Sequence, residues 1–197
     1  MATPVEHEKR KHEILARSLD LFVEEGYEDV TFQKIADRCG ITRTTLYIYF
    51  KNKREIFTWS IKQLLSAMEQ KLVGVLRDKS LSSAECLNKV IDIIVTDCES
   101  NARLFKVLLS YLMQLQKSGG DVENRINHRI VKLQHFINMV LIQGQQTGEF
   151  KQVPIKTVNQ LLYSLIEDGV FHLAMTGKAD MDECRSSCHF VIAGLRQ

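Results

Sequence analysis

The chain has 197 residues, of which 45% are hydrophobic and 25% charged, with 2 prolines and 10 glycines. That composition can bury a core, which argues against a disordered chain, and it leaves room for one large domain or two small ones. The formal net charge of +2 excludes bulk positive charge as an argument for nucleic-acid binding, so only local charge can carry that argument.

No apolar run reaches the length of a membrane span. Residues 1–13 are mostly polar and charged and do not read as a secretory signal. The 5 cysteines, Cys39, Cys86, Cys98, Cys184 and Cys188, are odd in number and irregularly spaced. Free thiols in a reducing cytoplasm are expected. So few prolines favour long uninterrupted helices.

In chain order, Ile14, Leu15, Leu19, Leu21 and Phe22 recur at helical spacing and predict an amphipathic helix over Glu8–Glu25. Gly26 follows where a left-handed cap is wanted. Thr31 can cap a short second helix carrying Phe32, Ile35 and Ala36, which Gly40 ends. Thr42 can cap a third, running through Leu46 to about Phe50. Asn52 and Glu55 have the spacing of a capping box and predict a long fourth helix to about Asp78, with Ile56, Trp59, Leu64, Met68 and Val75 inward. Ser82 with Glu85 opens a fifth helix to about Glu99, and Ala102–Lys117 is a leucine-rich sixth. Gly119–Gly120 breaks it, and Asp121–Gln146 is a seventh, ending at Gly148. Pro154 lies near the start of an eighth closed by Gly177, and Asp180 with Glu183 caps a ninth. No alternating strand pattern of useful length appears, so the expected class is all-α with about nine helices.

The second and third helices are separated by the tight turn Arg38-Cys39-Gly40-Ile41. A supporting helix, a glycine able to take positive φ and a further short helix are the parts of a helix-turn-helix. Leu46 and Phe50, one turn apart, can anchor the third helix from behind. Thr42, Arg43, Thr44, Thr45, Tyr47 and Ile48 are then left for its other faces. Arg43 could pair with guanine O6 and N7, and Thr44 and Thr45 could bond a base or touch a thymine methyl. Thr31 and Lys53 sit at helix starts, which favour phosphate, and Tyr47 and Tyr49 offer hydroxyls to phosphate oxygens. Between Lys34 and Glu55 there are six bases against two carboxylates, preceded by five carboxylates and no base between Asp20 and Asp29. Taken alone, such a basic stretch reads as solvated surface. Joined to the helical spacing, it points to DNA.

The run Ile14-Leu15, Leu19-Asp20-Leu21-Phe22, Gly26-Tyr27, Thr31, Ile35-Ala36, Gly40-Ile41-Thr42, Thr45-Leu46-Tyr47-Ile48-Tyr49-Phe50-Lys51-Asn52-Lys53 and Ile56-Phe57 resembles the DNA-binding domain of TetR-type regulators, the tetracycline-repressor family. The resemblance covers about residues 10–60 and is architectural beyond them. It implies a homodimer on double-stranded DNA, mostly as a repressor, with a small-molecule pocket in the larger domain. It places Thr31, Thr42, Arg43, Thr45, Tyr47, Tyr49 and Lys53 where the family touches DNA. Two departures stand out: Arg17-Ser18 replaces small alanines of the first helix, and Thr44 stands where glycine is common. On this resemblance residues 1–52 are a helix-turn-helix domain and 53–197 a ligand-sensing and dimerisation domain.

In the larger domain Leu104, Phe105, Leu108, Leu109, Leu112 and Met113 form one apolar face, and Phe136, Met139 and Val140 another. These read equally as plain core. As a pocket for a small apolar or amphipathic effector, the candidates are Leu108, Leu112, Phe136, Met139, Glu167, Phe171 and His172, with His135 and Asp168 as further polar handles. The resemblance assigns the dimer interface to about 155–196, where Leu161, Leu162, Leu165, Val170 and Leu173 make one stripe and Phe190, Val191, Ala193 and Leu195 another. Packing within one chain is the alternative. Cys184 and Cys188, one turn apart beside His189, fit no zinc or thioredoxin spacing and read as structural thiols before a sensor. No nucleophile motif, Gly-rich phosphate loop or metal-ligand cluster appears, so neither enzymatic chemistry nor a cofactor nor a metal is expected. The functional alternative to a ligand-responsive regulator is a DNA-associated module whose larger domain binds a protein.

Overall fold

The computed structural model describes residues 4–117, 122–176 and 181–197, with backbone alone over 122–131. The described residues form α1 (Pro4–Glu25), α2 (Phe32–Cys39), α3 (Arg43–Tyr49), α4 (Lys53–Arg77), α5 (Ser83–Ser100), α6 (Ala102–Lys117), α7 (Val122–Gln146), α8 (Ile155–Thr176) and α9 (Met181–Leu195). Apart from an isolated bridge between Phe150 and Arg196, no extended pairing occurs among them. The protein is all-α. The breaks expected at Gly119–Gly120 and Gly177, and the cap expected from Asp180, lie outside the described residues.

Two compact units are present, Met1–Ala67 and Met68–Gln197, and their division falls inside α4. In the first, α1 packs on α2 and α2 on α3. Its centre is aromatic: the rings of Phe22 and Phe57 meet edge to face at 4.9 Å, and Tyr27 lies 5.0 Å from Phe57. Ser18, in place of a small alanine, is fully buried and returns its hydroxyl to the carbonyl of Ile14 at 2.6 Å, so the substitution leaves no unsatisfied donor. Ser60 of α4 likewise donates to Leu15 of α1 at 2.9 Å. Trp59, expected inward, lies at the surface between two cations, Lys11 at 4.9 Å and Lys62 at 4.4 Å from its ring. A large ring with two long side chains over it is partly shielded from water without entering the core.

In the second unit α5 is the central helix, with Leu87, Val90, Ile91, Ile94 and Val95 buried. The capping box expected at its start is formed: the Ser82 hydroxyl accepts from Glu85 N–H, and Glu85 returns to Ser82 N–H at 2.9 Å. The box expected at Asn52 is half formed. Asn52 accepts from Glu55 N–H at 2.8 Å, but the Glu55 carboxylate takes the N–H of Lys51 at 2.6 Å. On α6 the buried stripe is Leu104, Val107, Tyr111 and Leu115, whereas Met113 of the expected face is exposed. A helix apolar on several faces does not declare its own phase. On α9 the buried stripe is Met181, Cys184, Cys188, Ile192 and Leu195, with Phe190 and Ala193 outward. The cysteines take core positions, as small apolar side chains do. Burial pushes the Cys98 thiol of α5 up to about 12.

A short corner between α7 and α8 ties three helices. Glu149 accepts the N–H groups of Ser83 and Ala84, at 2.6 and 2.9 Å, at the open start of α5. Phe150 fills the space over Gly144 of α7, where an added Cβ would stand 2.1 Å from the ring. Lys151 N–H donates to the carbonyl of Leu195 of α9 at 2.8 Å. Between α5 and α9, Arg185 meets Asp92 at 3.3 Å and Glu99 at 3.1 Å, and His189 lies 3.0 Å from Asp92.

Candidate nucleic-acid interface

Capping chemistry sets the two short helices. Thr31 accepts from Lys34 N–H at 3.2 Å and starts α2; Thr42 accepts from Thr45 N–H at 3.1 Å and starts α3. Between them Gly40 takes φ +65°, the left-handed conformation that a side chain disfavours, and its N–H satisfies carbonyls of α2. Arg10 donates to the carbonyl of Cys39 at 3.2 Å, and Arg17 to that of Arg38 at 3.5 Å. Both cations of α1 therefore face the negative end of α2. Arg17, a departure from the family pattern, acquires a local role by this contact.

Leu46 and Phe50 are fully buried and hold α3 from behind. Replacing either by alanine removes about 2–5 kcal/mol of packing. With that face fixed, Arg43 and Thr44 are exposed, Tyr47 is half exposed, and Ile48 stands 68% open to solvent. Thr45 is half-buried, its hydroxyl 2.8 Å from that of Thr42. The ring of Tyr47 rests against Phe32 of α2 with centroids 4.6 Å apart. Arg43 then lies over Tyr47, 5.7 Å from its centroid, and donates to its hydroxyl at 3.2 Å. Phe32 thereby positions Tyr47, and Tyr47 restrains Arg43.

The charge pattern resolves into two halves. Arg38 is paired with Glu24, its Nη1 3.1 Å from Oε1, and Lys34 reaches Glu25 at 2.7 Å. The acidic stretch thus occupies the cations of α2. Lys53 gives hydrogen bonds to the carbonyls of Tyr27 at 2.7 Å and Glu28 at 3.1 Å and lies 4.5 Å from the Tyr27 ring. Burial pulls its ammonium below the ordinary lysine range, with Glu28 and Asp29 opposing the shift. An ammonium has three donors, and two of them are taken by these carbonyls. Arg43, Lys51 and Arg54 carry exposed cationic side chains. Tyr49, half-buried, stacks its ring 4.6 Å from that of His7, a contact the sequence reading did not anticipate. The only signal for it was the spacing that puts His7 on the same face of α1 as Lys11.

The residues proposed for a pocket are less gathered. Leu108, Leu112 and Phe136 are half-buried, Met139 is 46% exposed, and Glu167, Phe171 and His172 are exposed. Glu167 accepts from the Tyr163 hydroxyl at 3.5 Å. His135 and Asp168 are exposed as well. No helix among the described residues is long and apolar enough to cross a membrane.

Residues 14–58 match the profile of the bacterial regulatory proteins of the tetR family. The chain is 21% identical over 162 residues to the fatty acid metabolism regulator protein of Bacillus subtilis, covering 80% of each. Its fold is similar to that of a TetR transcription regulator from Haloarcula marismortui, with a TM-score of 0.84 at 19% identity over 96% of this chain and 100% of the other. It is similar also to the fatty acid degradation regulator FadR of Bacillus halodurans, with a TM-score of 0.74 at 17% identity over 98% and 96% of the two chains. Residues 14–58 are thus a DNA-binding helix-turn-helix of the tetR family, set in a fold that TetR regulators share along nearly the whole chain.

Proposed function

We propose that the protein is a ligand-responsive repressor that binds a palindromic operator as a homodimer. The observation that carries the DNA half of this reading is α3 itself. It is a short capped helix with Leu46 and Phe50 buried and with Arg43, Thr44, Tyr47 and Ile48 presented outward. In this reading Arg43 and Thr44 reach base edges. Thr31, Thr42, Tyr47, Tyr49 and Lys53 hold the backbone, and Thr45 supports the first turn of α3. A threonine can cap a helix through a lone pair and still donate its proton.

The dimer half is supported by α8 and α9, where Leu161, Phe171, Met175 and Phe190 are exposed, Phe190 to 82%. Large apolar side chains standing open on adjacent helices are what a second copy covers. Phe171 is assigned to that face rather than to a pocket. A two-fold dimer would set its recognition helices about 34–36 Å apart, one duplex turn. An effector that binds one dimer geometry better than another shifts the population between them. A small amphipathic effector held among Leu108, Leu112 and Phe136, with Met139 adapting at the edge, fits the residue types present. Two of the proteins this chain resembles carry fatty acid metabolism or degradation in their names, which favours an acyl compound as the first to try.

Selection from random duplexes with the full chain tests the reading. The expected product is an inverted repeat whose half-sites lie one duplex turn apart, released when the right acyl compound is added. Failure to enrich any motif overturns it.

A further inference from the structure

His7 lies near the start of α1, far in sequence from α3, yet its ring stacks on that of Tyr49, with centroids 4.6 Å apart and planes inclined by 22°. Tyr49 is the last residue of α3, immediately before the buried anchor Phe50. One turn further along α1, Lys11 Nζ lies 6.0 Å from the Phe50 ring and 4.9 Å from the Trp59 ring. Residues four apart share a helix face, so one face of α1 runs against the end of α3 and the first turns of α4. The His7 side chain is 42% exposed, and its charged neighbour Glu8 is 3.9 Å away and more exposed still. The stack sets a second hydrogen-bonding ring beside that of Tyr49, so a strand that passes the Tyr49 hydroxyl also passes the His7 ring.

We propose that His7 and Tyr49 form a paired phosphate clamp, which makes the beginning of α1 a further DNA-contacting element beyond the helix-turn-helix. This rests on the reading of α3 as the recognition helix. The His7 ring N–H donates to the backbone phosphate that the Tyr49 hydroxyl contacts, or to its neighbour on the same strand, while Arg43 reads bases. A charge-assisted hydrogen bond to phosphate is among the stronger polar contacts, and it carries no sequence information.

The experiment uses the full chain and the duplex it selects, with single methylphosphonate substitutions placed along each strand. His7→Phe keeps a ring on Tyr49 and removes the donor. It is expected to melt like the parent protein and to bind roughly tenfold more weakly per protomer with unchanged base preference. One methylphosphonate position should weaken the parent protein but not His7→Phe, which identifies the phosphate. A His7→Phe protein that binds like the parent, or methylphosphonate penalties equal for both proteins at every position, overturns the clamp and leaves the recognition helix untouched. If the parent protein selects no duplex, the recognition-helix reading falls and takes the clamp with it.

Discussion

Arg43 has no carboxylate partner among the described residues. Its guanidinium rests on Tyr47, which itself rests on Phe32. A cation restrained at the surface by an aromatic face loses less side-chain freedom on reaching a base than a free one. Arg43→Ala is expected to cost about 1–3 kcal/mol on the selected duplex and to relax preference at one base pair of each half-site. Tyr47→Phe keeps the stack and removes the hydroxyl that Arg43 donates to, so its loss should be smaller and indifferent to sequence. Titration against duplexes mutated one base pair at a time separates the two. Equal affinity of Arg43→Ala for all of them, at the parent value, would remove Arg43 from the base-reading set.

At the scale of helices, the ends carry much of the specification. Glu149 shows how. Burial pushes its carboxyl up, but the N–H groups of Ala84 and Ser83 outweigh that and hold it below the ordinary 4.5. A carboxylate depressed in the folded state adds stability that is complete above the unfolded value and is lost as pH falls through the folded one. Glu149→Gln should therefore lower the thermal midpoint at pH 7 by about 2–4 °C, the effect of losing a cap worth about 1 kcal/mol. The gap between the two proteins should narrow on acidification, as pH falls below 4.5 and through the depressed folded value. A gap that does not change with pH would assign the effect to packing.

The helices whose boundaries were legible are those with such ends. Thr31, Gly40, Thr42 and the Ser82–Glu85 box mark α2, α3 and α5 to within a residue or two, because capping is local chemistry. Leu46 and Phe50 were legible as anchors because α3 is short and apolar on one face only. What the sequence concealed is phase and long-range company. On α6 leucines surround the helix, so the buried set Leu104, Val107, Tyr111 and Leu115 was not separable from its neighbours. Trp59 read as inward with the other apolar positions of α4 and is flanked by Lys11 and Lys62 at the surface instead. Of the candidate interface, the residues of α3 could be named in advance. The neutralisation of Lys34 and Arg38 by Glu25 and Glu24, and the stack of His7 on Tyr49, join segments that only folding brings together.

For the assembled molecule, the proposed dimer makes a demand that sedimentation can check. Burial of Phe190 and Phe171 from both copies should supply the centre of an interface of about 800 Å² per partner. Phe190→Glu places a charge there twice over and is expected to yield a folded monomer that no longer binds the palindrome. A dimer unchanged by Phe190→Glu would move the interface elsewhere. The corner at Glu149–Lys151 has a consequence of another kind. By clasping α5, α7 and α9 at one point, it obliges them to open together or not at all, whereas α6 has no share in the clasp. Backbone amides of α5 should then exchange with deuterium among the slowest in their unit, and those of α6 faster. If the proposed effector enters this unit, the adjustments that admit it fall to the untethered side of the bundle.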